Sequence, residues 1–189
     1  MAHFKKFTQP EVYNELQHNA RRSCTRLSYN LAPHRDISDY QYFEQRKSEL
    51  YCMNRADVKV LIDWIVIAPK DLNPSEETNF FKVTYQFLED RYGAENVIQA
   101  YVHCKEGKMV QKIDWDKNPE EIIIGRSHLH FCFIPATPDT NPNHPQAEKI
   151  CADKVLGADL YSIHPDLQQY LSNHGISAAI MARTAQNYN

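Results

Sequence analysis

Glycine is scarce, with five in 189 residues, and no apolar run approaches the roughly 18 residues that a membrane-spanning helix needs. The sequence therefore excludes a helical membrane protein, and a soluble chain with no membrane partner is expected. The opening MAHFKKFTQP has two lysines but no apolar stretch or small-residue cleavage site behind them. No secretory signal is read there, and a cytoplasmic location is expected. Five cysteines (Cys24, Cys52, Cys104, Cys132, Cys151) are odd in number and contain no C-x-x-C pair, which argues against a disulfide framework. An overall basic excess is also missing, since the net charge is −3; taken alone this speaks against a nucleic-acid partner. The distribution of charge says otherwise. Between residues 16 and 35 there is no Asp or Glu, while Arg21, Arg22, Arg26 and Arg35 are present with His18 and His34. Such a local field suits a phosphate backbone, although a solvated basic helix face would leave the same trace.

The length fits one domain, residues 1–189, with an ordinary core. The pattern of elements reads as α+β. DVKVLIDWIVIAPK (57–70) is rich in β-branched and aromatic residues and ends at proline, so its centre reads as a buried strand that takes Trp64 into the core. The segment 73–93 predicts a helix with Ser75 as N-cap, an apolar stripe through Phe81, Tyr85, Leu88 and Tyr92, and Gly93 as stop. NVIQAYVHC (96–104) and SHLHFCFIP (127–135) read as strands. Further helices are expected over 38–51, with Tyr42, Phe43 and Leu50 inward, and over 164–175, with Pro165 in the first turn. The proline-rich stretch 135–146 reads as a surface loop without chemistry, and His3, His34 and His144 as surface residues.

Side chains alternate along a strand, so His128 and His130 share one face. Two imidazoles at i and i+2 can converge on one ion. His103 ends the preceding strand. If the two strands pair antiparallel, it lands opposite the His-x-His end as a third ligand, with Glu106 three residues on as a fourth ligand or as a partner of metal-bound water. Such a donor set suits one divalent ion: Mn2+ or Zn2+, and Mg2+ less comfortably. An ion held with open positions would polarise a phosphoryl oxygen or acidify water. The acid-free basic segment favours DNA phosphate as its target, with His18, Tyr13 and Tyr29 as candidate nucleophiles.

These residues resemble the motifs of HUH single-strand endonucleases, and nearly the whole chain resembles the relaxase domain of the MobV (Mob/Pre) plasmid mobilisation family. HNAR (18–21) is similar to that family's His-Asn-x-Arg motif, and SYNL (28–31) to its Asn-Tyr-x-Leu motif. HCKE followed by SHLHF is similar to its His-x-Asp-Glu and Pro-His-x-His motif. The resemblance implies an antiparallel sheet with helices packed on it. It also implies a metal-dependent relaxase that nicks one DNA strand at a transfer origin, keeps the 5′ phosphate covalently on a histidine and later rejoins the strand. By motif the nucleophile is His18 with Arg21 as its partner. Glu106 assists the reaction, His103, His128 and His130 bind metal, and Arg21, Arg22, Arg26, Tyr29, Asn30 and Arg35 contact DNA. Any dimerisation is expected from a C-terminal region outside this chain.

Three motif positions depart from the family: Lys105 replaces Asp, Ser127 replaces Pro, and Ser28 replaces Asn. About twenty residues, GKMVQKIDWDKNPEEIIIGR (107–126), also separate Glu106 from Ser127. They predict an inserted β-hairpin turning at DKNP, with Asp114 and Asp116 in or beside the turn rather than on the metal. Alternative readings are a rolling-circle replication initiator with a tyrosine nucleophile, an origin-binding module without catalysis, and a small-molecule metallohydrolase, which would leave the arginines unexplained.

Overall fold

A computed structural model describes residues 2–20, 28–104, 107–110 and 121–180. The long apolar strand of the sequence is β3 (Lys59–Ile67), and every residue from Val60 to Val66 is buried. Burial on both faces fits an interior position, and β3 pairs with β1 (Ala2–Thr8) on one side and with β7 (His128–Phe133) on the other. Beyond β7 come β4 (Val97–His103) and the short edge strand β2 (Tyr29–Asn30), giving the order β1-β3-β7-β4-β2 with every pairing antiparallel. This is the α+β arrangement expected from the sequence.

Strand alternation divides the sheet into two unlike faces. One carries Ile62, Trp64, Val66, Leu129, Phe131 and Phe133, and it packs against α3 (Glu77–Tyr92), α4 (Ala152–Asp159) and α5 (Ile163–Asn173). The predicted stripe on α3 is buried, joined by Phe80, Thr84 and Phe87. Within this core the Trp64 indole donates to the Tyr92 hydroxyl at 2.8 Å, and that hydroxyl donates to Asp159 at 2.6 Å. Burying an indole without a partner for its N–H would be costly, and this chain removes the cost. The start of the helix differs from the Ser75 expectation. Asn73 is the cap, accepting from the Ser75 amide, and a 3-10 turn over Pro74–Glu76 precedes α3. The Asn73 side chain reaches the amide two residues on, which leaves Ser75 inside the turn.

The other face is covered by α1 (Gln9–Ala20) and α2 (Asp39–Ser48). Val12, Leu16 and Phe43 from these helices meet Leu61, Ile98, Cys132 and Ile134 from the sheet. Ser38 caps α2 in a reciprocal capping box with Gln41. Two small hairpins complete the description. β5 (Gly107–Val110) pairs antiparallel with β6 (Glu121–Ile124) inside the long connection between β4 and β7. β8 (Ala136–Pro138) pairs with β9 (Glu148–Ile150).

The second hairpin corrects the reading of 135–146 as plain loop. Its strands are three residues long and hold too few positions to show a period. His144, expected at the surface, is also tied down: it stacks on Tyr51 and shares a hydrogen bond of 2.5 Å with Asp139, whose side chain is fully buried.

Candidate metal centre

On the α1 face the sheet changes character along its length. Leu61, Ile98 and Cys132 are apolar, and moving toward the start of β7 they give way to Asp63, Gln99, His130, His103 and His128. The antiparallel register puts His103 directly opposite His128. The three imidazoles form a near-equilateral triangle with centroids 5.0–5.2 Å apart, and one ligand atom from each lies within 4.8 Å of the others.

Each ring is oriented by an acceptor. Nδ1 of His130 meets the Asp63 carboxylate at 2.6 Å, Nδ1 of His128 meets the Arg126 carbonyl at 3.1 Å, and Nε2 of His103 meets the Asn19 carbonyl at 2.8 Å. If each of these nitrogens carries the proton, the other nitrogen of each ring presents a lone pair, which is the tautomer a metal requires. His103 and His130 are buried while His128 is half-exposed. Solvent or a substrate thus reaches the triangle from the His128 side.

The surroundings favour a cation. The buried oxygens Oε1 of Glu15, Oδ1 of Asn19, Oδ1 of Asp63 and Oε1 of Gln99 have no hydrogen-bond partner among the described residues. All four are acceptors in the region of three imidazoles, and a positive charge there offsets their desolvation. Glu15, Asp63 and His130 form a second potential ligand group that shares His130 with the first. Burial, and next the Asp63 carboxylate, raise the Glu15 carboxyl above its ordinary value. The residues present therefore fit a divalent ion.

Asp63 and Glu15 were not singled out from the sequence, although Asp63 left a signal. It is the one charged residue inside VLIDWIVI (60–67), and a carboxylate in a strand buried on both faces must have a partner. Glu15 stands one helical turn before His18. This spacing places the two on neighbouring positions of one helix face.

The remaining candidates divide into those brought to the centre and those used elsewhere. His18 is exposed in the last turn of α1, and the next residue, Asn19, is the one whose carbonyl receives His103. Arg21, Arg22, Arg26 and Glu106 lie outside the described residues, as do Lys105, Asp114 and Asp116.

Arg35 is anchored to β4. It donates to the carbonyls of Ile98 at 2.9 Å and Val97 at 2.7 Å and lies over the Tyr42 ring. Asn30 is exposed, and its Oδ1 accepts from the amides of Ala32 and Ala100, holding β2 to β4. Tyr29 packs half-buried against the core, and that burial raises its hydroxyl pKa. Tyr13 is exposed and packs edge-on against Tyr40 rather than at the triangle.

A five-stranded antiparallel sheet with three histidines at one end and helices on both faces defines an α+β domain built around a candidate metal centre. The Mob_Pre family, described as plasmid recombination enzyme, matches residues 1–180, and the chain belongs to this family. It is 28% identical over 127 residues to plasmid recombination enzyme type 1 of Staphylococcus aureus, covering 64% of this chain and 25% of that protein. It is 24% identical over 153 residues to a plasmid recombination enzyme of Bacillus thuringiensis, covering 72% of this chain and 30% of that protein. The chain thus spans between a quarter and a third of the length of these relatives.

In structure it is similar to the MobM relaxase domain bound to plasmid pMV158 oriT DNA in a Mn-bound crystal structure, with a TM-score of 0.68 and 19% identity, covering 100% of this chain and 92% of that one. A further Mn-bound MobM complex, with 22 nucleotides, gives a TM-score of 0.65 at 20% identity, covering 95% of this chain and 88% of that one. These likenesses support the fold. No helix among the described residues is long and apolar enough to cross a membrane.

Proposed function

We propose that this chain is an HUH-type relaxase domain that cleaves single-stranded DNA at a plasmid or mobile-element transfer origin through a phosphohistidine adduct on His18. The observation that carries the reading is the hydrogen bond from His103 to the Asn19 carbonyl at 2.8 Å. It fixes the residue after His18 to one corner of the histidine triangle. The relatives named above are plasmid recombination enzymes, and the MobM domain was crystallised on oriT DNA with manganese, which supports both the substrate class and Mn2+ as the ion.

In this reading His103, His128 and His130 hold the ion, and Glu106 completes its environment. A divalent ion held there would supply positive charge to offset that of a phosphate oxygen. The neutral His18 imidazole attacks phosphorus, an N–P bond forms, the P–O3′ bond breaks, and the electron pair leaves on the 3′ oxygen, which takes up a proton as the phosphorylated His18 ring gives up its N–H proton to solvent. Arg21 stabilises the phosphate charge that grows in the transition state. Rejoining is the reverse, with the 3′ hydroxyl attacking the phosphohistidine. Arg22 and Arg26 add sequence-independent phosphate contacts. Asp63 holds the His130 ring, and the carbonyls of Arg126 and Asn19 do the same for the other two.

An oligonucleotide nicking assay on transfer-origin sequences tests this. Wild-type protein is expected to cleave with Mn2+ and not with chelator, and mass mapping should place the adduct on His18. A His18→Ala variant that cleaves and forms adduct normally would overturn the assignment.

A further inference from the structure

The end of the sheet that carries the imidazoles also borders a cleft of about 510 Å³ on its other side, beside the start of α3. Pro69, Leu72 and Pro74 form its apolar wall, with Lys70, Arg126 and Glu77 as its charged groups. It reaches Ser127, the residue that precedes His128. Arg126 belongs to both places. Its guanidinium lines the cleft and donates to the Ala68 carbonyl at 3.3 Å, while its own carbonyl receives His128 at 3.1 Å. The cleft and the triangle thus share the end of the sheet at which β7 begins.

We propose that the cleft binds one nucleobase of the DNA strand held at the histidine centre and selects a base with an exocyclic amino group. The inference rests on the DNA-cleaving reading above and adds a specificity site to it. The volume lies within the roughly 300–1,000 Å³ usual for small-molecule sites, which also combine apolar walls with a few placed polar groups. Proline rings and Leu72 offer flat apolar surface to a base, and Lys70 and Arg126 complement the phosphates on either side of it. Glu77 sets the selection. A carboxylate accepts from the amino group of cytosine, and equally from that of adenine. Thymine presents a carbonyl oxygen at the same position and is repelled.

The test is fluorescence anisotropy with labelled single-stranded homopolymers of dC, dA and dT, about 12 nucleotides long and so within usual single-strand site sizes, measured with Mn2+ and with chelator. Wild-type protein is expected to bind dC and dA more tightly than dT. Glu77→Ala should erase that preference while leaving dT binding in place. Leu72→Trp, which fills the cleft, should weaken dC binding by roughly 5- to 150-fold, the range for losing one held base. The exposed double variant K70A/R126A should lower the salt slope by about 1.4, at about 0.7 for each phosphate no longer neutralised. Thermal melting checks that each variant folds, and the charge variants at exposed positions cover the case in which Leu72→Trp does not. Wild-type protein that binds all three homopolymers equally, or a dC preference untouched by Glu77→Ala with salt slope unchanged in K70A/R126A, overturns the cleft proposal alone. Failure of wild-type protein to bind any of them also overturns the cleft proposal, whereas the relaxase reading stands or falls with the nicking assay on transfer-origin sequences.

Discussion

Replacing Asp63 by asparagine tests the metal centre without touching any of its three histidines. The Asp63 side chain is fully buried, one of its oxygens is 2.6 Å from Nδ1 of His130, and the other has no hydrogen-bond partner among the described residues. Asparagine is nearly the same size and keeps one oxygen for His130. Its amide can turn two donors toward the neighbouring Glu15 oxygens. The metal-free protein is thus expected to keep its melting temperature or gain slightly, because a buried carboxylate is costly to desolvate. Metal binding should suffer, since the imidazole loses the anionic partner that orients it. Losing such a partner typically costs 10- to 100-fold in affinity, or about 1.4–2.7 kcal/mol. At saturating Mn2+ the same amount disappears from the metal-linked stability. For a chain of this size the metal-induced rise in melting temperature should therefore shrink by roughly 3–10 °C. Competition titration against a chelator gives the affinity, and melts with and without Mn2+ give the linkage. Equal Mn2+ affinity in wild type and Asp63→Asn, within about twofold on an otherwise intact protein, would refute the coupling through His130.

Other outcomes follow from particular contacts. The protein-DNA adduct should be lost in acid and survive alkali, as a phosphoramidate does; an acid-stable adduct would point to a tyrosine instead. Phe131 is fully buried among Tyr85, Tyr92 and Phe133, so Phe131→Ala should cost about 3–5 kcal/mol in denaturant melts. Gly93 has φ +86°, and a Cβ there would lie 2.7 Å from a Glu95 oxygen. Gly93→Ala is accordingly expected to lose about 1–3 kcal/mol. His144, followed by an amide and by Lys149, holds the Asp139 carboxyl down to about 2, against 3.8 for the ordinary group. A depressed carboxyl stabilises the fold above its unfolded value, so this contribution is complete above about pH 4–5 and disappears as pH falls toward 2. The acid melt of Asp139→Asn should consequently be flatter than that of wild type over this window.

What could be read from the sequence follows the range of each physical signal. Strand alternation acts from one residue to the next, and it placed His128 and His130 on one face; the antiparallel pairing of β4 with β7 then brought His103 opposite. The partners of Arg35 and Asn30 are backbone groups of β4 and of the chain beside β2, distant in sequence or without side-chain identity. No sequence pattern marks the backbone carbonyl or amide that a polar residue of the basic segment will bond. The Asn19 carbonyl is hidden for the same reason, although it joins the first motif to the third. Asp63 was legible in principle as a lone carboxylate in an apolar strand, but the strand's composition drew attention to the core instead. Ser75 lost the cap to Asn73 because both are good cap residues two positions apart, and only the path of the chain after Pro69 decides between them.

The position of β7 in the sheet order also sets how long the site lasts on the hydrogen-exchange clock. Strands β3 and β4 cover both of its edges, so its amides are protected until the sheet comes apart, whereas β1 and the two-residue β2 lie at the margins and can fray first. The imidazoles His128 and His130 are thus mounted on backbone that should be among the slowest in the chain to exchange, and His103 on the strand next to it. Brief opening at either margin would leave the histidine triangle standing. Deuterium uptake should therefore give the margins and the site different time constants, with the site following global unfolding.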